Sequence, residues 1–211
     1  MSQRLLFTVG LAAIAAAVIA GMAGMALNPA GFSMMGSLGP SAGQRISIDR
    51  AQQSVQSFVD RNGNSDLEID ELMEFDQNFY ALIKERSTGI GAFELLVNKT
   101  TGAVGYEPGP DMMWNTKYGM IRGFGGMMGY GSMAASMLVT AEQATQIAES
   151  WLYRRGGDYS AGTPDAFYGY YTFHFLKAGR IDGMLSVNGT TVQVWFHSWH
   201  GNFIQSRELA G

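Results

Sequence analysis

An uncharged apolar run near the N-terminus constrains the fold of this chain more than any other feature of its sequence. Residues 5–27 (LLFTVGLAAIAAAVIAGMAGMAL) contain no charged side chain. At about 1.5 Å per residue, a helix of this length would cross a hydrocarbon core of about 30 Å. Arg4 precedes the run and the next basic residue is Arg45, so the positive-inside bias keeps the N-terminus cytoplasmic. We therefore expect residues 1–27 to be a transmembrane anchor, with the bulk of the chain periplasmic or extracellular.

A cleaved secretory signal peptide is the alternative interpretation of the same run, with Gly24-Met25-Ala26 as a cleavage site of the small-x-small type. The apolar core of such peptides usually spans about 7–15 residues, which is shorter than this run. Residues 28–44 carry no charge and many turn-forming residues. We therefore expect the segment 28–45 to be a Gly/Pro/Met spacer between the membrane and the folded part of the chain.

Composition excludes several classes of function. The chain has no cysteine and a net charge of −4. Without cysteine it has no disulfides, no thiolate metal ligands and no cysteine nucleophile, and without a basic stripe it lacks the footprint of a nucleic-acid-binding protein. A Ser-His-Asp order, a phosphate-binding loop and an HExxH motif are also absent from the sequence. We therefore expect a protein that is not an enzyme.

Two stretches of the chain repeat one order of predicted elements. Residues 46–110 have the pattern of an amphipathic helix followed by short apolar strands and a hairpin, and residues 139–211 repeat that order. Asn188-Gly189, between two alternating runs, predicts a two-residue type I′ turn. Internal duplication is the economical explanation. The predicted fold class is α+β: one transmembrane helix, then two units joined by a Met/Gly-rich connector at 111–138, each unit a helix packed on a small antiparallel sheet.

The first of these stretches resembles the PepSY family. The resemblance is carried by the helix at 48–59, Phe79-Tyr80, Glu94-Leu95-Leu96-Val97, the turn sequence at 98–104 (NKTTGAV), and the run from Glu107-Pro108-Gly109-Pro110 into Met112-Met113-Trp114-Asn115. It covers about residues 46–130, whereas residues 139–211 are similar only in the order of their elements. The resemblance implies an inhibitory, chaperone-like or accessory module outside the membrane, and it supplies no catalytic residues.

The segment from Asp60 to Glu71 is similar to a calcium-binding EF-hand loop. Asp60, Asn62, Asn64 and Glu71 fall at ligand positions 1, 3, 5 and 12 of such a loop. Position 6, where the loop needs glycine for its sharp turn, is Ser65. The residues after Glu71 would also have to be helical, whereas their pattern favours a strand. The segment is the best metal candidate in the sequence, and an acidic turn leading into a strand is the competing interpretation.

A second candidate surface is rich in methionine. Thioether sulfur binds Cu(I), but copper clusters usually repeat methionines at tight spacing with histidine nearby, and no histidine lies between residues 112 and 137. Flexible, polarisable methionine side chains also suit a contact with lipid or with another subunit, which is the interpretation that we prefer. The predicted partner-binding residues are Met112, Met113, Trp114, Tyr118, Met120, Met127 and Met128.

Two histidines near the C-terminus flank a tryptophan. His197 and His200 are three residues apart, and residues three apart on a strand point to opposite faces. They would share a metal only if the strand ended or bulged between them. We therefore expect a hydrogen-bonded imidazole at each position, and also at His174 on another predicted strand.

Together these features predict a non-enzymatic accessory or binding subunit of a membrane protein complex, with two PepSY-like domains on the extracytoplasmic side. Its expected partners are integral membrane subunits and lipid, without nucleic acid, small-molecule substrate or cofactor. One alternative is a periplasmic metal-handling protein that binds copper through the methionines or calcium through residues 60–71. Another alternative is a peptidase-inhibitory or chaperone-like module.

Overall fold

The computed structural model describes residues 44–119 and 137–210, which we call the first half and the second half. The elements of the first half are α1 (Ile48–Asn62), β1 (Leu67–Phe75), β2 (Asn78–Glu85), β3 (Gly91–Asn98), β4 (Val104–Tyr106) and α2 (Pro110–Trp114). The elements of the second half are α3 (Ala141–Arg155), β5 (Tyr159–Phe167), β6 (Tyr170–Lys177), β7 (Arg180–Asn188), β8 (Val194–Phe196) and β9 (Phe203–Glu208).

The two long helices begin at side chains that cap them. The Ser47 hydroxyl accepts a hydrogen bond from a first-turn backbone N–H at 3.2 Å, and Gly63 ends α1 in the left-handed conformation, with φ of 75°. Helix α3 begins with a capping box between Thr140 and Gln143, which satisfies two backbone donors at once. Each helix buries one stripe of small and aliphatic side chains: Ala51, Val55 and Val59 in α1, and Ala144, Ala148 and Leu152 in α3.

All nine strands of the described residues belong to one sheet. Its order is β8-β7-β6-β5-β3-β2-β1-β9, and β4 also pairs with β3. The pairs are antiparallel except β3–β5, which meet in parallel at one register pair, Gly91 with Phe167. A Cβ at Gly91 would lie 2.5 Å from the Phe167 ring, so glycine is required for this approach. The halves are therefore joined by a short contact at β3–β5 and by β9, which pairs with β1.

The sheet folds over so that two half-sheets, β1–β4 with β9 and β5–β8, pack face to face. In β2, Ala81 and Ile83 pack with α1, whereas Tyr80 and Leu82 pack with the second half. Helix α3 covers the outer face of β6 and β7. The layers are thus helix, half-sheet, half-sheet and helix. The apolar interior between the half-sheets is formed by Met73, Phe75, Tyr80, Leu82, Phe167, Tyr170 and Met184.

The predicted fold class is wrong. The described residues belong to one compact unit with a mixed nine-stranded sheet, and not to two separate units that each pack a helix on a small antiparallel sheet. The physical reason lies in strands such as β2, whose apolar run is buried on both faces and not on one. Among residues 44–119 and 137–210, no helix has the length and apolar character needed to cross a bilayer. The predicted transmembrane element is therefore not found there, and the run at 5–27 lies outside the described residues.

The two halves contain the same turn after their third strand. Each turn begins with an asparagine, Asn98 or Asn188, whose Oδ1 accepts hydrogen bonds from the backbone N–H groups two and three residues further on at 2.8–2.9 Å. The predicted type I′ turn is wrong, because it requires positive φ at both central residues and neither Asn188 nor Gly189 has it. The fourth residue after the asparagine has positive φ instead, 71° at Gly102 and 58° at Val192.

Replacing Val192 by glycine should stabilise the protein. A non-glycine residue held at positive φ costs about 1–3 kcal/mol, whereas glycine adopts this conformation freely. After allowance for the flexibility of glycine in the unfolded chain, we expect Val192→Gly to raise the free energy of unfolding by about 1 kcal/mol, measured by urea denaturation. The matched change at the equivalent position, Gly102→Val, should lower it. If both variants changed the free energy of unfolding in the same direction, backbone strain at Val192 would not be the cause.

A buried carboxylate ties the end of β2 to the segment that follows α2. Glu85 is 2% exposed, and its oxygens accept hydrogen bonds from four side chains: Lys117, Tyr118, Tyr168 at 2.6 Å and Thr88 at 2.9 Å. Burial alone would raise the pKa of Glu85, but these donors hold it at about 2. Because Tyr168 lies in the second half, the carboxylate also connects the two halves.

The ionised form of Glu85 should stabilise the fold at neutral pH. Its folded pKa is depressed, so the stabilisation is complete above the unfolded pKa of about 4.3 and is lost as the pH falls toward about 2. Glu85→Gln should lower the free energy of unfolding at pH 7 by about 2 kcal/mol. Urea denaturation at a series of pH values measures this effect. The difference in the free energy of unfolding between Glu85→Gln and the unmodified protein should shrink as the pH falls from about 4.3 toward about 2. A difference that does not change with pH would refute the assignment.

Candidate metal centre

Two ionisable side chains enter the space between the half-sheets at equivalent places in the repeat. Glu107 follows β4 and His197 follows β8. The backbone N–H of Glu107 donates to the carbonyl of Glu94 at 2.9 Å, and that of His197 donates to the carbonyl of Met184 at 3.0 Å. Both acceptors lie at the same position of the third strand in their half, four residues before the turn asparagine. The repeated fold therefore brings an acidic and a basic side chain together from its two copies.

A third side chain joins them because β8 is short. The strand ends at Phe196, so His197 and His200 do not alternate across a sheet, and both imidazoles are buried. The backbone N–H of Gln77, in the β1–β2 turn, donates to the carbonyl of His200 at 3.0 Å. Gly201, with φ of 77°, then turns the chain toward β9. The strand thus ends before the second histidine, which is the condition under which the two histidines can share a metal ion.

The Glu107 cluster, which we define as Glu107, His197 and His200, has the dimensions of a metal site. One ligand atom from each residue lies within 4.8 Å of the others. Glu107 Oε1 is 3.0 Å from His200 Nε2 and 3.4 Å from His197 Nδ1. Ligands about 2.0–2.1 Å from a tetrahedral zinc ion are about 3.3 Å from one another. All three residues are at most 2% exposed, so the cluster is closed to bulk water.

The hydrogen bonds around His200 fix the position of its ring proton. The side-chain amide of Asn78 donates from Nδ2 to the carbonyl of Trp199 at 2.9 Å, and this orients its Oδ1 toward His200 Nδ1, also at 2.9 Å. Because Oδ1 only accepts, Nδ1 must carry the proton. The neutral ring then presents a lone pair on Nε2 to the Glu107 carboxylate. Two acceptors 3.0 Å apart repel each other unless a cation lies between them.

His197 is oriented by a pair of hydroxyl groups. Its Nε2 lies 2.9 Å from the Ser186 hydroxyl, which is itself 2.9 Å from the Thr172 hydroxyl. These contacts engage the nitrogen that faces away from Glu107, as outer-shell partners do in metal sites. In the part of the chain that the structure describes, four buried side-chain polar atoms lack a hydrogen bond. Three of them belong to the cluster: Glu107 Oε2, His197 Nδ1 and His200 Nε2.

The charge states in the cluster suit a cation. Burial opposes ionisation of Glu107, whereas positive charge beside it, at the position of His197 and His200, lowers its pKa to about 2; with neutral rings, a bound metal ion would supply that positive charge. Burial lowers the pKa of His200 and so favours the neutral ring. Trp199 stacks on His197 with 4.9 Å between ring centroids, and its indole N–H donates to Glu107 Oε1 at 2.9 Å. Ionised carboxylate and neutral imidazole are the forms that bind metal ions.

The donor set indicates which ions would fit. Two imidazole nitrogens and one carboxylate suit zinc and other first-row divalent ions, whereas calcium and magnesium prefer sites made only of oxygen. The second carboxylate oxygen, Glu107 Oε2, has no hydrogen bond within the described residues and is available as a further donor. Because all three residues are buried, the site suits an ion that stays tightly bound and does not suit an ion with a coordination position open to a substrate.

The structure does not arrange the predicted EF-hand residues as that motif requires. Asp60, Asn62 and Asn64 are exposed at the end of α1 and in the turn after it, whereas Glu71 lies buried within β1, a strand where the motif needs a helix. Burial, followed by nearby carboxylates, raises the pKa of Glu71 to about 8. A protonated carboxyl is a poor calcium ligand. The geometry therefore gives the calcium prediction no support.

The predicted partner-binding residues have mixed environments. Met113 on α2 is 50% exposed, and Met112 is half-buried. Trp114 packs against Trp195 in the second half, with 5.9 Å between ring centroids, and Tyr118 packs against Phe93. Both aromatic side chains thus contribute to the fold, and the partner-binding prediction itself stays a prediction. The remaining three residues of that set, Met120, Met127 and Met128, lie outside the described residues.

Sequence reasoning missed the Glu107 cluster, although the repeat contains a signal for it. Glu107 and His197 each lie nine residues after the asparagine of their turn, Asn98 or Asn188. Aligning the halves on these turns would have placed an acid and a base at equivalent positions. The contribution of His200 depends on where β8 ends, which no local pattern indicates.

No family model, no curated protein and no solved structure matches the chain. The resemblance to PepSY proteins therefore has no support, and the function has to be argued from the geometry of the Glu107 cluster.

Proposed function

We propose that the protein binds one divalent transition-metal ion, of the class that includes zinc, through Glu107, His197 and His200. The observation that carries the proposal is the 3.0 Å approach of His200 Nε2 to the Glu107 carboxylate, with the ring proton engaged by Asn78 on the other nitrogen. A metal ion turns this repulsive pair of acceptors into two ligands. His197 Nδ1, 3.4 Å from the same carboxylate oxygen, supplies the third.

A second proton on His200 is the competing explanation for the short approach. It would require an N–H aligned with the carboxylate, yet His200 Nε2 and His197 Nδ1 both lack a hydrogen bond among the described residues. Protonating both rings would also place two imidazolium charges beside one carboxylate in a buried space, which is costly. A metal ion needs no such alignment, because its ligands direct lone pairs at a common point.

Metal binding was an alternative in the sequence analysis, but through other residues. The Glu107 cluster replaces the segment 60–71 as the favoured site, and the copper hypothesis depends in part on residues outside those described. An accessory role in a larger complex is compatible with metal binding and stays a prediction. Exposed Met113 is the described residue that favours it.

Metal analysis of the purified protein tests the proposal. The full chain, expressed with added zinc and purified in a mild detergent because residues 5–27 are apolar, should contain about one zinc ion per molecule. Glu107→Gln and His200→Gln should reduce this content to near zero. His174→Gln is the matched control, because His174 is a half-buried imidazole whose Nε2 lies 3.4 Å from the Glu71 carboxylate, but it lies outside the cluster.

Circular dichroism should confirm that each of these variants is folded. Equal zinc content in the protein and in Glu107→Gln would exclude the proposed ligands. Equal loss in the His174→Gln control would mean that metal content follows general damage to the interior.

The Asn78 amide should influence affinity without touching the ion. It orients His200 through Nδ1, and removal of such an outer-shell partner typically weakens metal binding by about 10–100-fold. We expect this loss for Asn78→Ala, measured by competition with a zinc chelator. Asn115→Ala is the control, because the Asn115 amide is also buried and donates to a backbone carbonyl, that of Ala92 at 2.7 Å, but its oxygen accepts from backbone N–H groups and not from an imidazole. An equal loss in both variants would argue against a positioning role for Asn78.

A further inference from the structure

The C-terminal strand reaches its position through the metal centre. After β8 the chain leaves the second half-sheet, passes through residues 197–202, and enters β9, which pairs with β1 of the first half-sheet. We call residues 197–202 the crossover segment. It contains both histidines of the Glu107 cluster, whereas Glu107 itself belongs to the first half.

The contacts of the crossover segment with the first half concentrate around His200. The backbone N–H groups of Gln77 and Asp76 donate to the carbonyls of His200 and Asn202 at 3.0 and 2.9 Å. The His200 ring stacks on Phe75 with 4.5 Å between centroids. Strand β9, by contrast, has no fully buried residue. An exposed edge strand of six residues gains little from its own burial, so the crossover segment adds to the β1 pairing and the side-chain bonds that hold β9 in place.

We infer that the metal ion controls the docking of the C-terminal strand: when bound, it fixes the crossover segment and holds β9 on β1, and without it both open more readily. This inference rests on the proposed function. Opening the crossover segment carries His200 away from Glu107 and removes a ligand. The form in which the crossover segment is docked therefore binds the ion more tightly than the opened form. By thermodynamic linkage, ion binding must favour the docked form by the same factor.

Hydrogen exchange in the full chain, with and without zinc, measures this coupling. The reporters are the backbone amides of Asp76 and Gln77, which donate to the crossover segment, and of Leu209, which follows β9 and donates to the carbonyl of Asp70 at 2.8 Å. At free zinc about 100 times the Kd, their exchange should slow by up to about 100-fold. The amides of Asn98 and Asn188, in the two hairpin turns, should be unaffected.

Two controls separate the ion from general effects. Zinc should not slow amide exchange in Glu107→Gln. Calcium should not slow it in the unmodified protein, and this second control remains usable if the variant does not fold. Zinc bound at one ion per chain without slowing at the three reporters would overturn the inference and leave the proposed function standing. Equal slowing at Asn98 and Asn188 would also overturn it. Failure of zinc to bind would overturn both.

Discussion

Packing two half-sheets face to face removes water from both of their inner faces, so each polar group on those faces needs a partner within the protein. Most of these groups have one. Glu94 accepts hydrogen bonds from the Tyr80 and Tyr170 hydroxyls, both at 2.8 Å, and so links the two half-sheets. Among the described residues, Glu107 and the two histidines contribute three of the four buried side-chain atoms without a hydrogen bond, and the fourth is His174 Nε2. The same constraint that makes the interior stable therefore points to the Glu107 cluster as the place where a metal ion would fit.

The repeat explains how this place arises. In both halves the chain passes through the same asparagine turn, makes a short strand, and returns to the interior at the same carbonyl of the third strand. What differs is the side chain that arrives there, Glu107 in one half and His197 in the other. The halves also differ at the turn, where Gly102 suits its positive φ and Val192 does not. Backbone geometry is thus kept between the halves while side-chain chemistry has diverged.

Local parts of this fold could be predicted from the sequence, and its assembly could not. The start of α3 follows from a side chain at Thr140 that satisfies backbone groups a few residues away, which is a short-range effect. The pairing of β3 with β5 and of β1 with β9 joins segments far apart in the chain, and no periodicity specifies such partners. The apolar run of β2 was compatible with a strand buried on one face or on both. For the same reason the histidines were recognised singly, whereas their carboxylate partner, Glu107, lies about ninety residues earlier in the chain.

The equivalence of Glu107 and His197 has a consequence for how such a centre can exist at all. A symmetric pair of identical subunits would place two carboxylates or two imidazoles at this point, since each copy must present the same residue to the axis. Two carboxylates would repel each other, and two imidazoles would lack a compensating negative charge. Joining both copies in one polypeptide removes that restriction. Each of the two equivalent positions can then vary independently, so one can carry a carboxylate and the other an imidazole.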